Sequence, residues 1–185
     1  QTIRWSLRDA TADLHEAVDR LGSGFDLGEE DGYRRFLLAH ARALPGLERA
    51  IEAAGIATLV PDWPVRSRRA ALMADLATLG EAPPPALPAA LPPGLEAALG
   101  ATYVLEGSRF GNGMLLRQAA ARPHAAGATA YLSHKAGWPA FLERLEAHLS
   151  SPAAQSAAAE GARAAFHHFH AALSDEAAQG HALHV

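Results

Sequence analysis

Tyr103-Val104-Leu105-Glu106-Gly107-Ser108-Arg109-Phe110-Gly111-Asn112-Gly113-Met114-Leu115 carries three glycines inside a helical pattern, and Gly100 lies two turns upstream. Each interior glycine costs a helix roughly 1 kcal/mol relative to alanine. Alanine is the commonest residue of this chain, so it was the ready choice at every one of these positions. Gly107 and Gly111 are four apart and share one helix face, which they strip of side chains. Two readings follow. Either another helix packs closely there or the helix kinks, or bare backbone is left for a flat ligand to approach. The residues alone leave both open.

Outward from that stretch the pattern stays helical. Alternating Val, Ile and Thr runs are nearly absent, so strands are not expected. The first helix is predicted from Ser6, as N-cap, to Leu21, with Leu7, Leu14, Val18 and Leu21 as its apolar stripe and Gly22 as its stop. A second spans Glu29 to Ala54, with Pro45 expected to kink or split it. A third runs from Arg66 to Leu79. Residues 80–93 hold six prolines and read as a stiff connection or a disordered surface loop. A fourth helical region covers Gly94 to Ala121. A fifth covers Thr129 to Leu149, broken near Gly137-Trp138-Pro139. A sixth runs from Pro152 to Leu173, followed by a polar, mobile tail over 174–185. The expectation is an all-α bundle of about six helices, with residues 1–185 forming one domain.

Composition narrows the function. At 185 residues, 49% hydrophobic and 19% charged, the chain is that of a folded domain with a substantial core. Its net charge of −4 lacks the basic footprint of a nucleic-acid binder. With no Cys there is no disulfide framework, thiolate nucleophile or cysteine metal site. No apolar window reaches the ~18 residues of a membrane span. The first residues, Gln1 to Ser6, contain no apolar signal region, so a cytoplasmic protein is expected.

Chemistry must therefore use His, Asp, Glu or Tyr. His15 sits at the edge of the first helix's apolar stripe, where a neutral imidazole could ligate a metal or make an ordinary hydrogen bond. Glu16 and Asp19 could support a ring nitrogen or lie solvated, the latter more natural for Asp19. His167 and His170 are three apart, but a third ligand is lacking and a half-exposed helix face is the default. Arg66, Arg68 and Arg69 read as a solvated face or a helix start.

Two of these segments resemble a known family. Leu7-Arg8-Asp9-Ala10-Thr11-Ala12-Asp13-Leu14-His15-Glu16-Ala17-Val18-Asp19 resembles the proximal helix of heme oxygenases, and Tyr103 to Gly111 resembles the distal helix of their bacterial branch, including the phytochrome-associated enzymes. Trp138, Phe141 and Leu145 resemble a further, less specific pattern. The resemblance implies heme b, both substrate and cofactor, held between two helices, with His15 as the proximal iron ligand and Gly107 and Gly111 over the opposite face. It implies that dioxygen, crowded by close backbone, is directed along the ring toward a meso carbon. Arg8 and Tyr103 would meet the propionates, with Arg117 a looser third. Ser108 stands where some members carry Asp, and Arg109, Asn112 and Lys135 are further candidates.

The activity so implied is oxidative opening of heme to biliverdin with release of carbon monoxide and ferrous iron. It would use O2 and an external reductant, since no flavin or nicotinamide fingerprint is present. A ferredoxin or flavin reductase would supply electrons, and a phytochrome could receive the biliverdin. The competing expectations are a heme carrier or sensor of the same fold without turnover, and a heme-free helical binding protein.

Overall fold

The apolar stripes read along the chain close on one another as helices. The computed structural model describes residues 2–182, with side chains through Glu176, and every regular element among them is helical. In order these are α1 (Ile3–Gly22), α2 (Glu30–Ala53), α3 (Trp63–Arg66), α4 (Arg69–Thr78), α5 (Leu95–Gly107), α6 (Arg109–Ala120), α7 (Ala130–Ser133), α8 (Trp138–His148) and α9 (Pro152–Ala182), with 3-10 turns at Ile56–Thr58 and Pro123–Ala125. No helix among the described residues is long and apolar enough to cross a membrane.

α9 is the central pillar, lying along α5, α1 and α2. Around it Leu7, Phe36, Leu37, Leu44, Leu47, Leu99, Phe141, Leu145, Phe166 and Phe169 form part of one contiguous buried cluster. The α5–α9 crossing is set by two glycines. A Cβ on Gly100 would collide with the backbone of Ala158, and one on Gly161 with that of Ala97. At Gly100, then, close helix packing is the right reading of the glycine anomaly.

Several boundaries differ from the sequence reading. α1 begins at Ile3, one turn before the expected cap, and Ser6 donates its N–H to the carbonyl of Thr2 inside the helix. Pro45 does not split α2. The proline-rich segment docks there: the Leu87 N–H donates to the Arg42 carbonyl oxygen at 2.8 Å, and the Leu87 carbonyl fills the space beside Gly46 that a Cβ would need. That segment is a packed connection. The last helix carries on to Ala182, past the expected stop at Leu173, and residues 183–185 of the expected tail lie outside the described residues.

The expected third helix is two helices, α3 and α4, and the break expected in the fifth near Gly137 separates α7 from α8. Buried carboxylates from elsewhere in the chain cap α4 and α7. Glu48 of α2 accepts the N–H groups of Arg68 and Arg69 at 2.9 and 3.0 Å and the Ser67 hydroxyl at 2.9 Å, opening α4. Asp75 of α4 accepts the N–H groups of Ala130 and Tyr131 at 2.9 and 2.8 Å, opening α7. A carboxylate is stabilised at a helix N-terminus by the unpaired N–H groups and the dipole, whichever part of the chain supplies it.

Candidate functional site

Gly107, Gly111 and Gly113 behave unlike Gly100. A Cβ added at any of the three meets nothing within 4 Å. These glycines relieve no helix contact; they leave backbone facing open space. Beside them on α6, Phe110 and Met114 stand 67% and 61% exposed, four residues apart on one face. Phe110 meets Trp138 edge-on at 5.0 Å, and Trp138 in turn lies 6.1 Å from the Tyr103 ring. Bare backbone flanked by uncovered apolar side chains is a surface that a flat apolar ligand would cover. The glycine positions also make a prediction. Gly100→Ala should lose roughly 1–3 kcal/mol of stability through overpacking. Gly111→Ala should gain about 0.5–1 kcal/mol in the ligand-free protein, because Ala is the better helix former. Urea denaturation of the two variants checks this; equal effects would mean that space around the glycines does not distinguish them.

α1 presents His15 in the open. Its side chain is 58% exposed, its Nε2 lies 3.4 Å from Asp19 Oδ2, and its ring stacks on Phe166 with centroids 5.2 Å apart and 26° between planes. Asp19 is thus both solvated, at 71% exposure, and close enough to support the imidazole. Arg8 is exposed, with its guanidinium 5.1 Å from the Trp5 ring, and Arg4 lies over the same ring at 4.5 Å. Tyr103 bridges from α5, its hydroxyl donating to the Arg4 carbonyl at 3.5 Å, and burial raises its pKa against the pull of the Arg4 and Arg8 charges. The structure therefore joins Arg8 and Tyr103 at one end of the site and adds Arg4 to them. An open depression of about 510 Å³ beside it, between α1 and α8, shares Arg4 and Trp5 but neither His15 nor the glycines. Arg117 is exposed in the last turn of α6, on the far side of the α5–α6 junction from Tyr103.

Beneath the bare backbone lies a polar network that the sequence reading missed. Arg66 and Arg68, expected on a solvated face, are 1% and 2% exposed. Glu106, 2% exposed, takes Arg66 Nη1 on Oε2 at 2.8 Å and Arg109 Nη2 on Oε1 at 2.9 Å. Arg68 holds the junction of α5 and α6, donating to the Leu105 carbonyl and to Ser108 Oγ, both at 2.9 Å. Asn112 completes that corner, donating to the Ser108 carbonyl and accepting from Arg68 Nη1, each at 3.2 Å. The Ser108 hydroxyl hydrogen goes to the Leu105 carbonyl at 2.7 Å, so this side chain fastens the junction. Arg109 Nη1 donates to His134 Nδ1 at 2.7 Å, which requires a neutral imidazole; burial and the Arg109 and Arg68 charges lower the pKa of His134 to match. Nothing local signals this network, because its partners come from residues 66, 68, 106, 109 and 134.

Deeper still, the Tyr131 hydroxyl and His40 Nδ1 share a hydrogen bond of 2.6 Å, and burial together with the Arg68 charge holds the His40 pKa down to about 3. The unfolded chain takes up this proton below about 6.5, whereas the folded protein refuses it until about 3. The resulting stability is complete above the unfolded pKa and is lost as pH falls toward the folded one, at about 1.4 kcal/mol per pH unit. His40→Gln should flatten the decline of the urea midpoint between pH 6.5 and 4 by about one proton; an unchanged slope would show that another group is responsible.

The remaining histidine candidates do not converge. His168 Nε2 donates to the Ala43 carbonyl at 2.7 Å, while His167 and His170 face solvent. Among the described residues no group of three or more His, Cys, Asp or Glu is arranged to hold a metal ion. A metal reaching His15 would have to bring its other ligands with it.

Comparison with known proteins gives three concordant findings. The family model for heme oxygenase matches residues 1–175. A heme oxygenase of Xanthomonas campestris pv. campestris (strain 8004) is 37% identical over 155 residues, covering 80% of this chain and 93% of that protein. The crystal structures of NO- and CO-bound heme oxygenase from Neisseria meningitidis provide a chain that superposes with a TM-score of 0.80 at 27% identity, covering 95% of this chain and 92% of that one.

Proposed function

Since this chain belongs to the heme oxygenase family, we propose that it seats heme with His15 on one face and the bare backbone of Gly107 and Gly111 on the other. It is an enzyme of that family and opens heme oxidatively to biliverdin, carbon monoxide and ferrous iron, using dioxygen and external electrons. The observation that carries the site assignment is the open space at Gly107, Gly111 and Gly113, beside two uncovered apolar side chains.

Bound heme supplies the iron and the oxidisable ring. The protein supplies position and surroundings. His15 offers a ring nitrogen to the iron, and Asp19 stands beside the imidazole to fix its tautomer. Arg8 and Tyr103 bind the propionates, one by charge and one through its hydroxyl, and so fix the rotation of the ring in the cleft. Gly107 and Gly111 let backbone approach where any side chain would take the space needed by dioxygen. Ser108, Asn112 and Arg68 hold that backbone in place. Electrons come from a separate donor, a ferredoxin or a flavin reductase.

Hemin titration followed by ascorbate or a reductase system in air tests the reading. A stoichiometric Soret band that collapses into a biliverdin spectrum is the expected result. A band that survives repeated reduction would make the protein a heme carrier or sensor. Absence of stoichiometric uptake would overturn the site. Gly111→Leu, which fills the bare face, should take up hemin less tightly than wild type while remaining folded.

A further inference from the structure

α9 meets α1 one turn before His15 and again at His15 itself. Arg163 Nη1 donates to the Ala10 carbonyl at 2.7 Å and to Asp13 Oδ1 at 3.0 Å, and its Nη2 reaches Asp13 Oδ2 at 3.3 Å. Three residues on, hence on the same face of α9, Phe166 presents its ring to the His15 imidazole. From these contacts we propose that α9 positions the proximal ligand: Phe166 sets the plane of the His15 ring, and Arg163 sets how α1 rests against it. The proposal depends on His15 being the heme-binding histidine.

His15 has little on its own helix to hold its ring in place. A side chain 58% exposed has rotamers open to it, and its partner on its own helix, Asp19, is 71% exposed. A solvated pair of this kind restrains orientation weakly. Phe166 differs, being 9% exposed and built into the core cluster, so its ring is a fixed surface. The 26° interplanar angle at 5.2 Å is an offset stack, the preferred arrangement for two flat rings. α9 itself has little freedom, because on the side of Gly161 it is pressed backbone to backbone against α5. The helix that orients the imidazole is thus the one wedged against the helix leading into the distal glycines. Phe166 and Arg163 act through His15 and α1, not on heme, and are positioning residues.

The plane of an axial imidazole controls how unpaired spin spreads over the four heme methyl groups, and this is readable without turnover. Ferric cyanide complexes of wild type, Phe166→Leu, Phe166→Tyr and Arg163→Met would be compared by proton NMR. Expected is stoichiometric hemin uptake by all four, a changed spread of methyl shifts in Phe166→Leu and Arg163→Met, and the wild-type spread in Phe166→Tyr, which keeps the stacking face. In the heme-free protein the His15 ring protons should sit upfield in wild type and move downfield in Phe166→Leu as the Phe ring current is lost. An unchanged methyl pattern and unchanged ring shifts in Phe166→Leu would overturn the proposal. If Phe166→Leu fails to fold, Phe166→Met fills the site with a more adaptable side chain and takes its place. If wild type itself takes up no hemin through His15, the reading of the site fails, and the heme-free ring shifts alone decide whether Phe166 orients the imidazole.

Discussion

His15→Ala should leave a folded protein that no longer handles heme. The side chain is 58% exposed and meets Asp19 and Phe166, so its loss should change stability by no more than about 0.5–1 kcal/mol. The effect on the heme complex is of another order. Removing a supporting group beside a metal ligand costs roughly 10–100-fold in metal affinity, and removing the ligand itself should cost at least as much. The Soret band should shift or weaken, and conversion to biliverdin should fall below detection. Added imidazole, small enough to enter the space left by the ring, should restore the wild-type spectrum. Asp19→Asn should show a milder form of the defect, with a weakened iron–imidazole bond. A His15→Ala protein with an unaltered heme spectrum and undiminished turnover would remove His15 from the site.

Glu106→Leu should be among the most destabilising single changes in the molecule. Its carboxylate lies between the guanidiniums of Arg66 and Arg109, with Arg68 one turn away across the α5–α6 junction. Withdrawing one partner from a buried ion pair leaves uncompensated charge and costs about 3–5 kcal/mol. For a domain of this size each kcal/mol corresponds to roughly 2–4 °C, so Tm should fall by about 6–20 °C. Glu106→Gln keeps the shape and part of the hydrogen bonding, and should lose less. Thermal unfolding followed by circular dichroism measures both. A loss under about 1 kcal/mol for Glu106→Leu would mean that water screens the cluster. The same substitution should disturb the bare face above, because Arg109 also donates to the Arg66 carbonyl and so links α6 to the end of α3.

The chain itself carried most of the fold, since a helix is a local object. Its apolar stripe recurs every three to four residues, and its stops are Gly22, Gly55 and the prolines, so α1, α2 and the start of α9 could be placed from the chain alone. The two motifs around His15 and Gly107 were legible for the same reason: each is a run of neighbours whose chemistry does not depend on the rest of the chain. Spacing could not say which glycines make room for a helix and which leave room for a ligand. Gly100 and Gly111 look alike in sequence, and only the position of α9 separates them. Nor could it show that Arg66 and Arg68 are interior. A buried arginine is tolerable only when its partners arrive with it, and Glu106, Leu105 and Ser108 are about forty residues away. The caps that a distant carboxylate supplies, Glu48 at α4 and Asp75 at α7, escaped for that reason as well. Periodicity and backbone propensity are properties of neighbours along the chain. Burial, charge compensation and the seat of the His15 ring are properties of neighbours in space, and these the tertiary structure alone decided.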